Sequence, residues 1–353
     1  MGLAAGVAAL ALTAAACGSS PSSASDTSHD GGTSSSSGGG ASATPVTVTV
    51  GYFPNITHAP ALVGMQEGLF AKALKPDVVA KPQIFSAGPA ENTALLAGSI
   101  DLAFEGPSSA LSAFTASHGA VSIIAGVAQG GAGLVVKKSI TSAGQLQGTK
   151  LGSPQLGNTQ DVALRYWLKQ HGLTTTSTGG GDVHIEPSTT GSGTVVTEFK
   201  AGQIDGAWLA EPYEQELIAA GGHLLQSEAG ATTDLVVRNS FLRAHPATVK
   251  RFLTGLLDTF SFIQADKAQA ERAANKQLAT LEGGKPLPSS VLSASWANLT
   301  FGPNPQASTL ETQVKQGEAV GLLSNPGSIA KIFDLAPLNA PLQAKGQTTV
   351  AGM

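Results

Sequence analysis

The chain is poor in cysteine, in charged residues and in aromatic residues. One cysteine in 353 residues excludes a disulfide framework and a zinc site built on several thiolates. Charged residues make up 12%, about half of the usual share of roughly 25%. The 20 Lys and Arg against 24 Asp and Glu give a net charge of −4, so no basic surface is available for nucleic acid, and that class of partner is excluded.

Motifs for nucleotide binding, serine catalysis and metal binding are also absent from the sequence. No G-x-x-x-x-G-K-[ST] loop and no G-x-S-x-G elbow occurs, and none of the seven histidines forms an H-x-x-x-H pair. These absences predict a protein without cofactor and without metal, and they give no positive reason to expect catalysis. The 42% of hydrophobic residues is nevertheless enough for sizeable cores, and the length suits two domains.

The N-terminus has the pattern of an export signal. Residues 3–16 form an apolar run that is shorter than the roughly 20 residues needed to span a bilayer but has the length of a signal-peptide core. Cys17 follows at once, and residues 12–17 resemble a bacterial lipobox. We therefore predict a signal peptide over residues 1–16, lipidation of Cys17, and a Ser/Gly-rich tether through residue 45. A lipid anchor of this kind implies an extracytoplasmic protein attached to the cell membrane.

The remaining chain alternates between strand and helix patterns. Two series of strands followed by helices predict two α/β units with mainly parallel sheets. The expected strands lie at residues 46–52, 81–85, 100–104 and 121–127, then near 150, at 183–185, 204–208 and 232–238. The expected helices lie at residues 60–70, 91–97, around 111–114, 159–171, 192–201 and 211–219. From Pro246 an apolar stripe through Ile263 predicts a long core-facing helix, with further helices and Pro-rich loops over residues 267–353.

Five strand-to-helix junctions are rich in small polar residues. They occur at residues 52–58, 86–89, 105–109, 155–159 and 210–212. In open α/β sheets, ligands bind beyond the carboxyl ends of the strands, where helix N-termini present free N–H groups. A Ser, Thr or Asn at such a point either caps its helix or contacts a ligand. Five such junctions in two units favour one shared cleft.

Four segments carry a resemblance to a known family. Residues 51–60, 67–70, 97–103 and 201–213 resemble the nitrate/sulfonate/taurine group of ABC-transporter substrate-binding proteins, with A-G-x-I-D at residues 97–101 and again at 201–205, followed by Glu211-Pro212. The resemblance implies a type II periplasmic-binding-protein fold of class α/β, in which two lobes close on a ligand. Lobe 1 would comprise residues 46–135 and 238–353 and lobe 2 residues 136–237, with crossover strands at 133–137 and 235–238.

The resemblance also implies a function and a set of partners. The chain would be a monomeric lipoprotein that captures a small sulfonate, nitrate or taurine-like ligand and delivers it to the ABC permease subunits in the membrane. From the junctions and the resemblance together, we expect the ligand to be bound by Tyr52, Asn55, Thr57, His58, Ser86, Gly88, Glu105, Gly106, Ser108, Gln129, Gln155, Asn158, Thr159, Trp208 and Glu211.

The class of ligand stays open at this point. The junctions contain no Lys or Arg, but helix N-termini alone can bind a sulfonate or a nitrate. Glu105 and Glu211 could meet an amine, which suits a taurine-like zwitterion or an amino-pyrimidine of the thiamine-precursor type. An enzyme on the same fold is the alternative class. Against it, the pyrimidine synthase relatives have a cysteine-rich motif that Cys17 cannot supply, and the menaquinone-pathway relatives are not expected to have a lipoprotein signal.

Overall fold

The computed structural model describes residues 44–79, 81–324 and 326–353. The predicted signal peptide, Cys17 and nearly all of the tether therefore lie outside the described residues. The strands are β1 Thr47–Val48, β2 Val50–Tyr52, β3 Val78–Val79, β4 Gln83–Ile84, β5 Leu102–Glu105, β6 Val121–Gly130, β7 Ala132–Lys137, β8 Lys150–Ser153, β9 His184–Pro187, β10 Gly206–Ala210, β11 Gly222–Ser227, β12 Ala231–Arg238 and β13 Leu299–Phe301.

The helices alternate with the strands up to β12 and then dominate the chain. They are α1 Ala59–Gln66, α2 Leu69–Leu74, α3 Gly88–Ala97, α4 Pro107–Ala116, α5 Thr159–Gln170, α6 Ser192–Lys200, α7 Tyr213–Ala219, α8 Asn239–Ala244, α9 Pro246–Ala265, α10 Lys267–Leu281, α11 Ser289–Ala297, α12 Ala307–Ala319 and α13 Ala336–Ala344. Short 3₁₀ turns occur at Ile56–His58, Ala143–Leu146 and Ile329–Ile332. Within the described residues, no helix is both long enough and apolar enough to cross a membrane.

Two sheets with matching strand order form the two lobes. The first sheet has the order β13-β6-β12-β5-β2-β4 and the second the order β11-β7-β10-β8-β9. In the first sheet, β12 runs antiparallel between β5 and β6, and in the second, β7 runs antiparallel between β10 and β11. The second sheet is built from the five consecutive strands β7 to β11, whereas the first sheet combines strands before them with β12 and β13, which follow them. This is the two-lobed α/β architecture expected from the resemblance, and the predicted fold class is confirmed.

The chain changes sheets at two short connections. It leaves the first sheet at Gly131, where Gly130 and Gly131 have φ angles of 71° and 67°, and it returns over residues 228–230. Glycine is suited to this left-handed backbone because it has no Cβ. The segments expected to cross, 133–137 and 235–238, lie within β7 and β12, a few residues beyond the change of sheet. The lobe boundaries proposed from the sequence stay predictions.

The core of the first lobe is built on the apolar stripe of α9. Val249, Phe252 and Leu256 are fully buried, and the ring of Phe252 stacks on that of Phe70 with centroids 4.4 Å apart. The prediction that this stripe packs into the core is therefore confirmed. In the second lobe, apolar side chains cover both faces of the sheet, with Leu164 on one side and Phe199 on the other, as parallel sheets require.

Two predicted elements are interrupted in the structure. The helix expected at 60–70 is two helices, α1 and α2, because Gly68 between them has a φ of 66°. The strand expected at 46–52 is divided into β1, which pairs with β3, and β2, which pairs with β4 and β5. At the break, the N–H of Thr49 donates to the side chain of Asp101 (3.0 Å), so this donor is used outside the sheet.

Candidate ligand-binding site

A small cavity lies between the lobes, at the ends of the strands where helices begin. This inner cavity is lined by Phe53, Asn55, Thr57, His58, Ser86, Ala87, Gly88, Gly106, Ser109, Pro154, Asn158, Thr159, Gln160, Ser192, Ala210 and Thr232. Its enclosed volume is about 20 Å³, whereas about 10–15 Å³ of the same measure holds one water molecule. The enclosed space is therefore the size of a small chemical group and not of a whole metabolite.

The first turns of four helices surround this inner cavity. Helices α3 and α4 come from the first lobe, and α5 and α6 from the second. Three of them start after Ala87, Gly106 and Gly191, and within the described residues none of these positions has a side-chain cap. The first N–H groups of a helix have no partner inside the helix, so at α3 and α6 they remain available to a ligand. Helix α4 offers less, because Pro107 has no N–H and the N–H of Ser108 already donates to Thr159.

Helix α5 differs because its first turn is capped and also contacts the other lobe. Asn158 Oδ1 accepts a hydrogen bond from the N–H of Asp161 (3.0 Å). Thr159 Oγ1 accepts one from the N–H of Ser108 at the start of α4 (3.3 Å). A Cβ on Gly106 would overlap the same Thr159 hydroxyl, so glycine at this position permits the close approach. These contacts join the lobes across the cavity, and the structure therefore has a closed arrangement.

His58 provides a neutral polar wall. Its side chain is buried and its Nε2–H donates to the carbonyl oxygen of Phe104 (2.8 Å). Burial lowers the pKa of the His58 imidazole to about 3, although the hydrogen bond to Phe104 acts in the opposite direction. The ring is therefore uncharged at neutral pH. Its unprotonated Nδ1 is an acceptor 3.1 Å from the Thr57 hydroxyl, which also lies 2.7 Å from Asn55 Oδ1, so Thr57 is the donor between these two side chains.

The inner cavity carries no formal charge of its own. Among the described residues that line it, none is Lys, Arg, Asp or Glu. Glu91, in the first turn of α3, and Glu105 are fully buried nearby, with Glu105 Oε2 3.8 Å from the position of a Cβ on Gly88. Burial, with the neighbouring acid as a second cause, raises the pKa of both carboxyls well above the usual range. Burial therefore favours the uncharged form of both carboxyls, which compensates the positive end of α3 less than a carboxylate would.

An outer compartment of about 350 Å³ adjoins the inner cavity. It shares Phe53, Asn55, Ser86 and Ser192 with the cavity and adds Pro54, Thr190, Gly191, Gly193, Thr194, Tyr213 and Glu282. The Tyr213 hydroxyl lies 3.2 Å from Glu282 Oε1 and 3.5 Å from the carbonyl oxygen of Pro54, so it reaches across from the second lobe. The two spaces together offer a tight polar end and a wider, partly aromatic end.

The structure brings eight of the fifteen expected ligand-binding residues to the inner cavity. They are Asn55, Thr57, His58, Ser86, Gly88, Gly106, Asn158 and Thr159. They come from four of the five junctions that the sequence singles out. That these residues contact the ligand remains a prediction.

The other seven lie elsewhere for identifiable reasons. Tyr52 and Trp208 are core residues, whose polar atoms contact Gln277 Nε2 (3.1 Å) and Glu228 Oε2 (3.3 Å). Glu105 lies behind Gly88 and is fully buried. The Ser108 hydroxyl is taken by Gln313, Gln129 Oε1 accepts from Gln306 Nε2 (2.6 Å), and Gln155 is half-buried outside the cavity lining. The seventh is Glu211.

Glu211 is held by residues of the protein itself. Its carboxylate accepts hydrogen bonds from the Ser295 hydroxyl (2.9 Å), from Asn298 Nδ2 (2.8 Å) and from the N–H of Gln215 in the first turn of α7 (3.2 Å). Its backbone carbonyl oxygen accepts from the N–H of Ile56 in the first lobe (2.9 Å). A junction residue can cap its helix or contact a ligand. These contacts indicate that Glu211 caps α7.

Sequence reasoning missed several residues that line the inner cavity. Ser192 follows Thr189, Thr190 and Gly191 at a sixth junction of the same small polar type, so a signal for it was present. Thr232 had no such signal, because it lies at the start of β12 and its hydroxyl donates to the carbonyl oxygen of Gly130 (2.9 Å). Over the described part of the chain, no group of three or more His, Cys, Asp or Glu side chains could hold a metal ion.

Comparisons with known proteins identify the family of the chain and show the same fold in solved structures. The model of the NMT1-like family matches residues 41–278. No curated protein matches the chain. The alkanesulfonate-binding protein SsuA from Xanthomonas axonopodis pv. citri, solved bound to MOPS, is 20% identical with a TM-score of 0.68, over 83% of this chain and 99% of that one.

Two further solved structures give the same result for the fold. The periplasmic nitrate-binding protein NrtA from Synechocystis PCC 6803 is 16% identical with a TM-score of 0.70, over 85% of this chain and 89% of that one. The periplasmic aliphatic sulphonate binding protein SsuA from Escherichia coli is 20% identical with a TM-score of 0.64, over 82% and 98%. At these identities the likeness demonstrates a shared fold.

Proposed function

Since the chain belongs to the NMT1-like family, we propose that it is the solute-binding component of an ABC importer and that its ligand is a small organic sulfonate. The proposal depends mainly on one observation. The inner cavity is enclosed by the first turns of four helices from both lobes, and its described lining has no charged side chain. Backbone N–H groups and helix dipoles favour an anion at such a place without a fixed counter-ion.

The outer compartment supports a sulfonate in preference to nitrate. A sulfonate group suits the inner cavity, and its organic substituent needs space beyond that cavity. The outer compartment of about 350 Å³, with Phe53 and Tyr213 in its lining, supplies that space. A nitrate ion would leave this compartment filled with water only.

A plain sulfonate also suits the site better than a taurine-like zwitterion. The two acids that could have met an ammonium group are both otherwise engaged. Glu105 is buried behind the cavity with its pKa raised, and Glu211 takes its donors from Ser295, Asn298 and Gln215. With the sulfonate in the inner cavity, the ammonium group would lie in the outer compartment, where the one acid of the described lining, Glu282, already accepts from the Tyr213 hydroxyl (3.2 Å).

A calorimetric titration of the purified protein tests the proposal. We expect methanesulfonate and butanesulfonate to bind, butanesulfonate more tightly, and both to be recovered chemically unchanged. Taurine and nitrate should bind more weakly, and 4-amino-5-hydroxymethyl-2-methylpyrimidine should not bind. Tightest binding of the pyrimidine or of taurine would overturn the ligand class, and conversion of a ligand to a product would overturn the assignment as a binding protein.

The location and the partners belong to the same proposal. We place the protein outside the cytoplasm, anchored through a lipid on Cys17, as a monomer that delivers its ligand to ABC permease subunits. The apolar run followed by Cys17 supports the anchor. Cys17→Ser should release the protein from the membrane fraction of the cells. Unchanged membrane retention of this variant would contradict the lipid anchor.

A further inference from the structure

A second pocket, separate from the inner cavity and the outer compartment, lies between α5, α12 and the returning connection at residues 228–230. Its volume is about 580 Å³, within the range of roughly 300–1,000 Å³ that is usual for small-molecule sites. Helix α12 packs against both α4 and α5, so the walls of the second pocket come from both lobes. None of its lining residues is shared with the ligand cleft.

The aromatic residues of the second pocket are concentrated on one wall. Tyr166 and Trp167 come from α5, and Trp208 from β10. Both indole N–H groups are already used, by Gln226 Oε1 for Trp167 (3.2 Å) and by Glu228 Oε2 for Trp208 (3.3 Å). The indoles therefore have only apolar ring surface left to offer. Two of the three tryptophans of the chain lie here, in a protein with 5% aromatic residues.

The remaining lining consists of amides and hydroxyls. The amides are Gln170, Gln226, Gln306, Gln313 and Gln316, and four Ser and Thr hydroxyls accompany them. Amides and hydroxyls both donate and accept hydrogen bonds, which is the pattern that complements the hydroxyl groups of a ligand. Gln226, Gln306 and Gln313 already bind other side chains of the protein, which leaves Gln170 and Gln316 as the amides of the described lining without such a partner. Gln316 Oε1 is buried and has no hydrogen-bond partner among the described residues, so it is an acceptor without a donor.

The charge of the second pocket excludes strongly ionic ligands. Of its described lining residues, only Glu228 is a carboxylic acid and none is Lys or Arg. Glu228 accepts from Trp208 and from Gln313 Nε2 (3.3 Å), while burial raises its pKa to about 7. An anion would find no cation here. A cation would find one acid that is already hydrogen-bonded and about half protonated at neutral pH.

We propose that the second pocket binds a neutral, hydroxyl-rich ring of the sugar or cyclic polyol class. Such a ring has apolar C–H faces for the aromatic wall and hydroxyl groups at its edge for the amides of Gln170 and Gln316. This site does not depend on the sulfonate proposal. A ligand held between α5 and α12 would bridge the two lobes and favour their closed arrangement.

Tryptophan fluorescence of the whole protein tests this proposal, because Trp167 and Trp208 line the pocket. The probes are D-glucose, D-mannose, N-acetyl-D-glucosamine and myo-inositol, with choline chloride as a cationic probe of similar size. We expect a saturable signal with at least one of the neutral probes, and saturation at a lower probe concentration when butanesulfonate is present, because both ligands favour the closed arrangement. No saturable response to any neutral probe in the millimolar range would overturn the proposal, as would a stronger response to choline.

Two variants and one control show where the neutral probe binds. Gln316→Leu and Trp167→Leu should each weaken its binding by about tenfold or more, measured by calorimetry. Gln269→Leu, an exposed amide on α10, should leave binding unchanged. Binding that is insensitive to both pocket variants would place the probe elsewhere and overturn the site. If Trp167→Leu does not fold, Gln316→Leu alone decides, because its side chain lies on the other wall of the pocket.

Discussion

The junctions that surround the inner cavity and the junction at Glu211 have similar sequences, but their helix N–H groups have different partners. At α3, α4 and α6 the preceding residues Ala87, Gly106 and Gly191 supply no side-chain cap within the described structure. At α7, Glu211 caps the helix through the N–H of Gln215 and is itself bound by two residues near the end of α11. An uncapped first turn leaves donors for a ligand, whereas a capped one contributes to stability.

The largest effect is expected when the start of α4 is prevented from meeting the start of α5 in the opposite lobe. A Cβ at Gly106 would overlap Thr159 Oγ1 of the opposite lobe, whereas the backbone of Gly106 itself is compatible with alanine. We expect Gly106→Ala to weaken sulfonate binding in calorimetry by about 100-fold or more, equivalent to about 2.7 kcal/mol. The melting temperature of the ligand-free protein should change little, since the open arrangement avoids the overlap.

Gly144→Ala is the matched control for this variant. Gly144 is exposed and nothing lies within 4 Å of its Cβ position. The Gly144→Ala protein should therefore bind the sulfonate with normal affinity. Small-angle scattering with saturating butanesulfonate should show contraction for the unaltered protein and for Gly144→Ala. If Gly106→Ala binds with normal affinity and contracts as well, the two lobes do not need this close approach.

A smaller effect is expected at the capped junction. Glu211→Gln removes one of the two acceptor oxygens that serve Ser295, Asn298 and Gln215. The free energy of unfolding should fall by about 1–3 kcal/mol, because a buried donor loses its partner. The dissociation constant for the sulfonate should stay the same. A weaker affinity for the sulfonate with an unchanged free energy of unfolding would indicate that Glu211 contacts the ligand. Glu311→Gln, an exposed acid on α12, is the control.

The smallest effect concerns pH and the buried acids beside α3. Burial raises the pKa of Glu91, Glu105 and Asp234 well above the ordinary values, with neighbouring acids as a second cause for the two glutamates. A carboxyl whose pKa is raised on folding stabilises the protein below its ordinary pKa, here 4.5 for the glutamates, and this stability is lost as the pH rises towards the raised value. The melting temperature should therefore fall as the pH rises above about 5 and towards the raised values.

Glu105→Gln should reduce this fall by a few degrees, because the amide cannot ionise. Glu311→Gln should reproduce the pH profile of the unaltered protein, since Glu311 is exposed. A pH profile that Glu105→Gln leaves unchanged would show that folding does not raise the pKa of Glu105.

The general position of the site could be predicted from the sequence, and its lining only in part. Small polar residues after strands indicated the junctions, and the repeated A-G-x-I-D pattern indicated the fold. The periodicity of α9 likewise predicted its buried stripe. Each of these patterns is local, because it involves residues only a few positions apart in the sequence.

What could not be predicted depends on contacts between distant residues. The position of Glu211 at a strand-to-helix junction suggests a ligand contact, but its carboxylate is bound by Ser295 and Asn298, more than 80 residues away. Ser108 lies on α4, a helix that the sequence correctly placed at the site, but its hydroxyl donates to Gln313, 205 residues away. Its N–H donates to Thr159 beside the cavity. Thr232 reaches the cavity because β12 returns between β5 and β6, a topology that no short pattern reveals.

The most direct test of the anion site is to add one negative charge at an uncapped first turn. Ser192 is the first residue of α6 and lines both the inner cavity and the outer compartment, while Ser289 is the exposed first residue of α11. An aspartate at either place favours its helix, but only that of Ser192→Asp would repel an anion in the cavity. We predict that Ser192→Asp weakens butanesulfonate binding by about 100-fold without lowering the melting temperature, and that Ser289→Asp changes neither. Unchanged sulfonate affinity in a stable Ser192→Asp protein would contradict an anion held by these helix N-termini.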